Sequence, residues 1–149
     1  MMIIRAATED DFEQLSSFGS KIVEFRVSAD ESFMDRDEFL LRITNNEDVF
    51  LLAELDSRII GFILFGINDK DRPLKNKYAC LVYLVVDADY RRKGIAGKLY
   101  DTALGLLHKK GITPIYSWAN AESDNSMIRF LKKREFLRGH SYVWMERKI

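Results

Sequence analysis

Apolar residues recur along the chain with two different periods, and the changes of period outline its elements. Ile3 to Ala6 reads as a short strand. Phe12, Leu15, Phe18, Ile22 and Phe25 then fall at helical spacing, and Asp11 three residues after Thr8 predicts a capping box at the start of that helix. The stretch RVSADESFMDRD breaks the periodicity, and EFLLRITNN predicts a second, shorter helix ending near Asn45 and Asn46. Val49–Leu55 and Ile59–Ile67 read as strands joined by the tight turn Asp56-Ser57-Arg58, an antiparallel hairpin. Gly61 inside it predicts a bulge or a close neighbour. After the polar loop NDKDRPLKNK, Ala79–Val86 is apolar almost throughout, as expected at the centre of a sheet.

The second half continues the alternation. Ile95, Leu99, Ala103, Leu106 and Leu107 form a helical stripe closed by Lys109-Lys110-Gly111. Ile115–Ala119 is a strand, Met127, Ile128 and Leu131 mark a last helix, and Val143 and Met145 a final strand. This order predicts an α/β fold, a mixed sheet covered by helices, with a right-handed crossover between parallel strands from Ala79 to Ala119. No repeat or linker divides the 149 residues, so one domain spanning 1–149 is expected.

Composition narrows the function. Hydrophobic residues make up 47% and charged residues 31%, an ordinary globular mixture. Lys plus Arg and Asp plus Glu are equal at 23 each, so no global charge favours nucleic acid or a membrane surface as partner. Cys80 is the only cysteine and His108 and His140 lie far apart, which excludes an internal disulfide and argues against a metal site. The N-terminus turns acidic at once, unlike a signal peptide, and no apolar run is long enough for a bilayer. A cytoplasmic location is expected.

The chemistry concentrates in LVVDADYRRKGIAGKLY, Leu84 to Tyr100, where Arg91, Arg92 and Lys93 stand between a buried strand and a helix. A helix starting near Gly94 offers unpaired N–H groups and the positive end of its dipole. Gly94 lets an anion approach the backbone, the small Ala96 does not block it, and the three cations add charge-assisted donors. These are the parts of a phosphate or pyrophosphate site. A solvated basic turn is the plainer reading of RRK alone. GxxxxGK[ST] and GxGxxG are both absent, so neither a P-loop nor a dinucleotide fingerprint accounts for the segment.

This segment resembles the GNAT family of N-acetyltransferases, whose acetyl-CoA motif, Gln/Arg-x-x-Gly-x-Gly/Ala, lies between a central strand and the next helix. Here it reads Arg91-Arg92-Lys93-Gly94-Ile95-Ala96. The likeness extends through the Val86 and Tyr90 positions and into NSMIRFLKKREF, similar to the family's Asn followed by Tyr-x-x-x-Gly-Phe. It implies a largely antiparallel sheet, helices on both faces, and a splayed parallel pair at the centre. The implied co-substrate is acetyl-CoA and the implied partner an amine acceptor, with no metal and no nucleic acid. A homodimer stays open. The resemblance puts the pantetheine arm along Leu84, Val85 and Val86 and the pyrophosphate on the amides from Arg91 to Ala96. Asn120, Asn125 and Ser126 are further contacts to the arm. The Val85 or Val86 N–H would polarise the thioester carbonyl.

The sequence departs from the family where acid and base are expected. Leu131 stands where a Tyr usually protonates the leaving thiolate, Cys80 and Val82 stand where a strand Glu is common, and Glu135 replaces a Gly. Tyr83, Tyr142 and Glu24 are the remaining catalytic candidates, alongside transfer by proximity with water carrying the proton. Asp30, Glu31, Asp35 and Asp37 make the loop between the first two helices acidic, which suits a cationic amine. The alternative function is a CoA-binding sensor or regulatory domain that no longer catalyses.

Overall fold

The apolar run from 49 to 67 folds as its alternation dictates. β2 (Val49–Leu55) and β3 (Arg58–Ile67) pair antiparallel across Asp56 and Ser57, whose φ values are 49° and 65°. Two consecutive positive-φ residues give the turn a twist that matches the strands. The structure is a computed structural model that describes residues 1–22, 33–67, 77–121, 125–143 and 145–149. The hairpin extends into a five-stranded sheet of order β1-β2-β3-β4-β5, with β1 at Met2–Ala6, β4 at Ala79–Val86 and β5 at Ile115–Ser117. The first four strands run antiparallel to their neighbours, and β4 and β5 are parallel. This is the expected mixed, largely antiparallel sheet.

Nearly every residue of β2 and β3 is buried, because both faces of the sheet are covered. On one face lie α1 (Phe12–Gly19) and α2 (Arg36–Thr44). Leu15, Phe33, Met34 and Phe39 pack there on Phe50, Leu52, Phe62, Leu64 and Val85. Its rings meet at an angle, Phe39 against Phe50 at 5.8 Å and Phe33 against Phe62 at 5.7 Å, the offset that aromatic quadrupoles favour. α3 (Ile95–Lys109) buries Leu99, Tyr100, Ala103 and Leu107, and Tyr100 reaches Phe65 on the opposite face at 6.4 Å. The helix stops where the sequence says it should: Gly111 takes φ 74°, with Gly111 N–H donating to the His108 carbonyl and Ile112 N–H to the Leu107 carbonyl.

Two bulges interrupt the pairing. Ala53 faces Gly61 and Glu54 faces Ile59, leaving Ile60 extra; Leu64 faces Tyr83 and Phe65 faces Leu81, leaving Val82 extra. The first is the irregularity that Gly61 predicted. Gly61 has a close neighbour as well, since a Cβ there would stand 2.8 Å from the Val85 carbonyl oxygen.

The chain forms two compact units, Met1–Trp118 and Ala119–Ile149. The second holds α4 (Ser126–Lys132), closed by Glu135 at φ 66° with Phe136 N–H donating to the Leu131 carbonyl at 3.1 Å. Glu135 thus adopts the left-handed conformation that a Gly would take without strain. The expected final strand is not formed among the described residues. Val143 and Met145 lie in irregular chain, 85% and 87% exposed, and a strand needs a ladder partner that no described residue supplies here. β5 also ends at Ser117, short of Ala119. The part of the first predicted helix from residue 23 to 25 lies outside the described residues, and the described helix stops at Gly19. No described helix is long and apolar enough to cross a membrane.

The N-terminal strand is tied to the first helix by charge. Arg5 grips Asp11 through two nitrogens at 2.8 and 2.7 Å and reaches Glu54 through Nε at 2.8 Å. Asp11 also accepts from the Thr8 N–H and hydroxyl, which is the predicted capping box. The Arg5 hydrogen bonds hold the Asp11 carboxyl below its ordinary value of 3.8 against the opposing effect of burial, with Thr8 helping. A lowered carboxyl stabilises the fold above its unfolded value and loses that contribution as pH falls through the folded one. Asp11→Asn is therefore expected to cost about 2 kcal/mol at neutral pH. In urea titrations the gap between variant and wild type should narrow as pH falls below 3.8 and close only below the lowered folded value.

Candidate active site

β4 has unequal edges. It pairs with β3 from Ala79 through Val86, but with β5 only from Ala79 to Leu81, opposite Ile115 to Ser117. The Ser117 hydroxyl closes that short ladder by donating to the Leu81 carbonyl at 3.0 Å. From Val82 onward this edge of β4 has no strand partner among the described residues. Leu84, Val85 and Val86 lie on that stretch with their side chains buried. Such an edge takes an extended ligand by backbone hydrogen bonds.

The turn that follows is held from several sides. Asp87 N–H donates to the carbonyl of the bulged Ile60 at 2.9 Å, and the Asp87 carboxylate accepts from Asp89 N–H at 3.0 Å and from Arg58 at 2.9 Å. A single 3-10 turn, Ala88–Tyr90, leads into the basic triplet. Its cations divide their work. Arg91 turns back, its Nε donating to the Val86 carbonyl at 3.0 Å. Lys93 Nζ lies over the Tyr90 ring at 5.1 Å, and Arg58 shares that ring at 5.8 Å. Arg92 takes φ 61° and its side chain is exposed, without a partner among the described residues.

Gly94, at φ 76° and ψ 8°, swings the backbone into α3. Lys98 N–H is bound to the Gly94 carbonyl at 3.0 Å, so the N–H groups of Ile95, Ala96 and Gly97 precede the helical ladder and open from the helix end. They coincide with the positive end of a 15-residue helix. The arrangement is an unpaired strand edge that runs directly into an anion cradle.

On the α1–α2 face, the Val82 bulge turns both Val82 and Tyr83 the same way. Tyr83 stacks edge-on against Phe33 at 5.1 Å and against Phe62 at 6.3 Å, so its ring is packed against the core. Val82 lies beside Gly66, where a Cβ would meet Val82 at 3.5 Å and the Arg42 guanidinium at 3.0 Å. Arg42 crosses to Asp48 at 3.0 Å, and Asp48 in turn accepts from Ile67 N–H at 2.9 Å. One turn earlier on α2 stands Glu38, 4.0 Å from Arg42 Nε. Burial pushes the Glu38 carboxyl up, against Arg42 and together with Asp35. Burial first and then the Glu38 charge push the Tyr83 hydroxyl up as well. The sequence reading passed over Glu38. Its signal was present: positions 38 and 42 border the stripe of the buried Phe39 and the partly buried Ile43.

The other candidates are scattered. Asp35 caps α2, accepting from Glu38 N–H at 2.7 Å, and Asp37 is exposed in the first turn. Glu24, Asp30 and Glu31 lie outside the described residues. Within the second unit, Asn120, Asn125 and Ser126 are exposed. Asn125 is the N-cap of α4 at φ 63° without a side-chain cap bond. Tyr142, expected on a final strand, lies in irregular chain and is 72% exposed. Leu131, at the position of the expected Tyr, is buried. No described group of three or more His, Cys, Asp or Glu side chains could hold a metal ion.

The sequence profile of the acetyltransferase (GNAT) family matches residues 12–136. The chain belongs to the GNAT acetyltransferase family. With it, the chain belongs to the N-acetyltransferases. It is 25% identical over 148 residues to an acetyltransferase of Sodalis glossinidius, covering 99% of this chain and 96% of that one. It is 28% identical over 91 residues to an uncharacterized N-acetyltransferase of Methanocaldococcus jannaschii, which is 61% of this chain but only 40% of that relative. A predicted acetyltransferase from Clostridium acetobutylicum, solved with acetyl-CoA, shares the fold at a TM-score of 0.77 and 18% identity, over 98% of this chain and 96% of that one.

The GNAT loop makes a direct demand on Gly94. A Cβ there meets nothing within 4 Å, so only the positive φ resists substitution. Gly94→Ala is expected to lower unfolding stability by about 1 kcal/mol, the strain of a left-handed alanine. A loss well above that in denaturant titration would mean that the loop needs more than glycine's backbone freedom.

Proposed function

We propose that the chain, working over 1–149 as one acetyltransferase domain, moves an acetyl group from acetyl-CoA to an amine. The acceptor is an amine of a small molecule, a peptide or a protein N-terminus, and transfer is direct within a ternary complex. The observation that carries this reading is the continuity of the unpaired β4 edge with the open amides of α3. The edge suits the amide-bearing pantetheine arm, and the cradle suits the pyrophosphate. The family profile supports one working domain, because it runs from residue 12 to 136 across both compact units. Acetyl-CoA in the similar Clostridium acetobutylicum structure supports the choice of donor.

Each part has a role in the proposal. Leu84, Val85 and Val86 hold the arm by backbone hydrogen bonds, and a Val85 or Val86 N–H polarises the thioester carbonyl. The amides from Arg91 to Ala96 take the pyrophosphate, with Arg92 as the cation left to meet it and Arg91 as the brace between loop and strand. Asn120, Asn125 and Ser126 are assigned to the arm. Donor and acceptor held together supply most of the acceleration, since orientation replaces a bimolecular encounter. The second reading, a CoA-binding sensor without catalysis, draws on the buried Leu131 and on a β4 that carries no carboxylate.

Two measurements separate the readings. Acetyl-CoA at a hundredfold excess over its Kd should stabilise the protein by about 2.7 kcal/mol, and Gly94→Glu should remove that shift by placing a carboxylate in the cradle. CoA release should then be followed with a panel of polyamines, lysine derivatives, peptides with different first residues, and aminoglycosides. Absence of any acetyl-CoA shift sinks both readings, and a shift with no release from any amine favours the sensor.

A further inference from the structure

We propose that Glu38 is the base that takes the proton from the acceptor's ammonium group, with the acceptor meeting the donor at the unpaired stretch of β4 next to Val82 and Tyr83. The inference rests on the acetyltransferase reading and supplies the base that β4 lacks.

The placement comes from three independent pieces of the fold. Asp35 caps α2 through the Glu38 N–H itself, which fixes Glu38 in the first turn at the edge of the buried stripe. The Val82 bulge brings Tyr83 onto the same face, next to Leu84 on the unpaired stretch of β4. Arg42, the nearest cation, gives its hydrogen bond to the buried Asp48 at 3.0 Å and stands 4.0 Å from Glu38. Its Nε is buried with no acceptor among the described residues. The Glu38 carboxylate thus keeps only a long, 4.0 Å ion pair to a cation whose close bond goes to Asp48.

The groups that set its basicity can be named. On α2 they are Asp35, which raises its affinity for a proton, and Arg42, which lowers it. On β4, Tyr83 feels the Glu38 charge. Asp48 acts through Arg42, and Gly66 of β3 brings no charge. Burial outweighs the rest and leaves the carboxyl above the ordinary glutamate value of 4.5. That direction suits a base, because a more basic carboxylate takes a proton from an ammonium more readily.

The step balances as follows. The ammonium N–H bond breaks and the proton passes to the Glu38 carboxylate, leaving the nitrogen lone pair free. The lone pair forms the C–N bond at the thioester carbonyl carbon, and the C–S electron pair leaves on the thiolate. The second nitrogen proton goes to sulfur, giving free thiol, and Glu38 releases its own proton to water.

The test compares two nucleophiles with wild type and Glu38→Gln. One is the amine that gives the fastest CoA release in the panel. The other is hydroxylamine, which is neutral at neutral pH and needs no base. Glu38→Gln should lower kcat with the amine about a hundredfold and replace the acid limb set by the carboxylate with a rate that climbs with pH up to the amine's own pKa. Transfer to hydroxylamine should stay near the wild-type rate, and Glu38→Asp should recover part of the amine activity. An unchanged acetyl-CoA thermal shift checks that the variant is folded. Equal loss with both nucleophiles would reduce Glu38 to a structural residue and overturn the proposal, as would an unaltered pH profile. Wild type that transfers to no amine sinks the acetyltransferase reading and this inference with it. Wild type that is active while Glu38→Gln is unimpaired sinks this inference alone.

Discussion

A strand that is fully paired on one edge and paired for three residues on the other leaves part of its backbone to be satisfied from outside the sheet. β4 is in that position, because β5 runs beside it only as far as Ser117. Buried N–H and C=O groups without partners are costly, and the proposed pantetheine arm, with amides of its own, would complement them. The rest of the site is arranged around this constraint. Gly61 keeps β3 close enough to hold β4 from the paired side. The Ile60 carbonyl and Arg91 fix the point where β4 ends.

The basic triplet shows how repulsion between neighbouring cations is relieved. Each of the three faces a different electron-rich or polar environment: a carbonyl for Arg91, solvent for Arg92, and an aromatic face for Lys93. The positive φ at Arg92 and at Gly94 makes that divergence possible, since a regular strand or helix would project the three in repeating directions. A cluster that reads as one block of charge in the sequence is two braces and one free donor in space. In the proposed pyrophosphate site the positive end of α3 would therefore carry more of the attraction than the count of Arg and Lys suggests.

Features set by neighbouring residues were legible in the sequence. The hairpin at 49–67, the capping box of Thr8 and Asp11, the end of α3 at Gly111 and the apolar centre of the sheet all depend on short-range chemistry. So does the turn into α3, where Gly94 takes the left-handed conformation at φ 76°. Features set by distant partners were not legible. Val143 and Met145 alternate like a strand, yet alternation supplies no ladder partner. Glu38 reads as one acid among several near the start of α2. Only the packing of that helix, together with Arg42's preference for Asp48, sets it apart. The odd residues Ile60 and Val82 leave no mark in the pattern, since a single inserted apolar residue looks like part of the run.

Val82 also acts on the phase of its strand. In an uninterrupted strand the two sides alternate strictly, and Tyr83 would share a side with Leu81. The extra residue resets the count, so that Tyr83 and Val85 join the aromatic core under α1 and α2. Position 82 is consequently tolerant in one sense and intolerant in another. Its side chain is partly exposed and open to exchange, whereas its removal would be a frameshift in three dimensions, transposing inside and outside along one half of the strand.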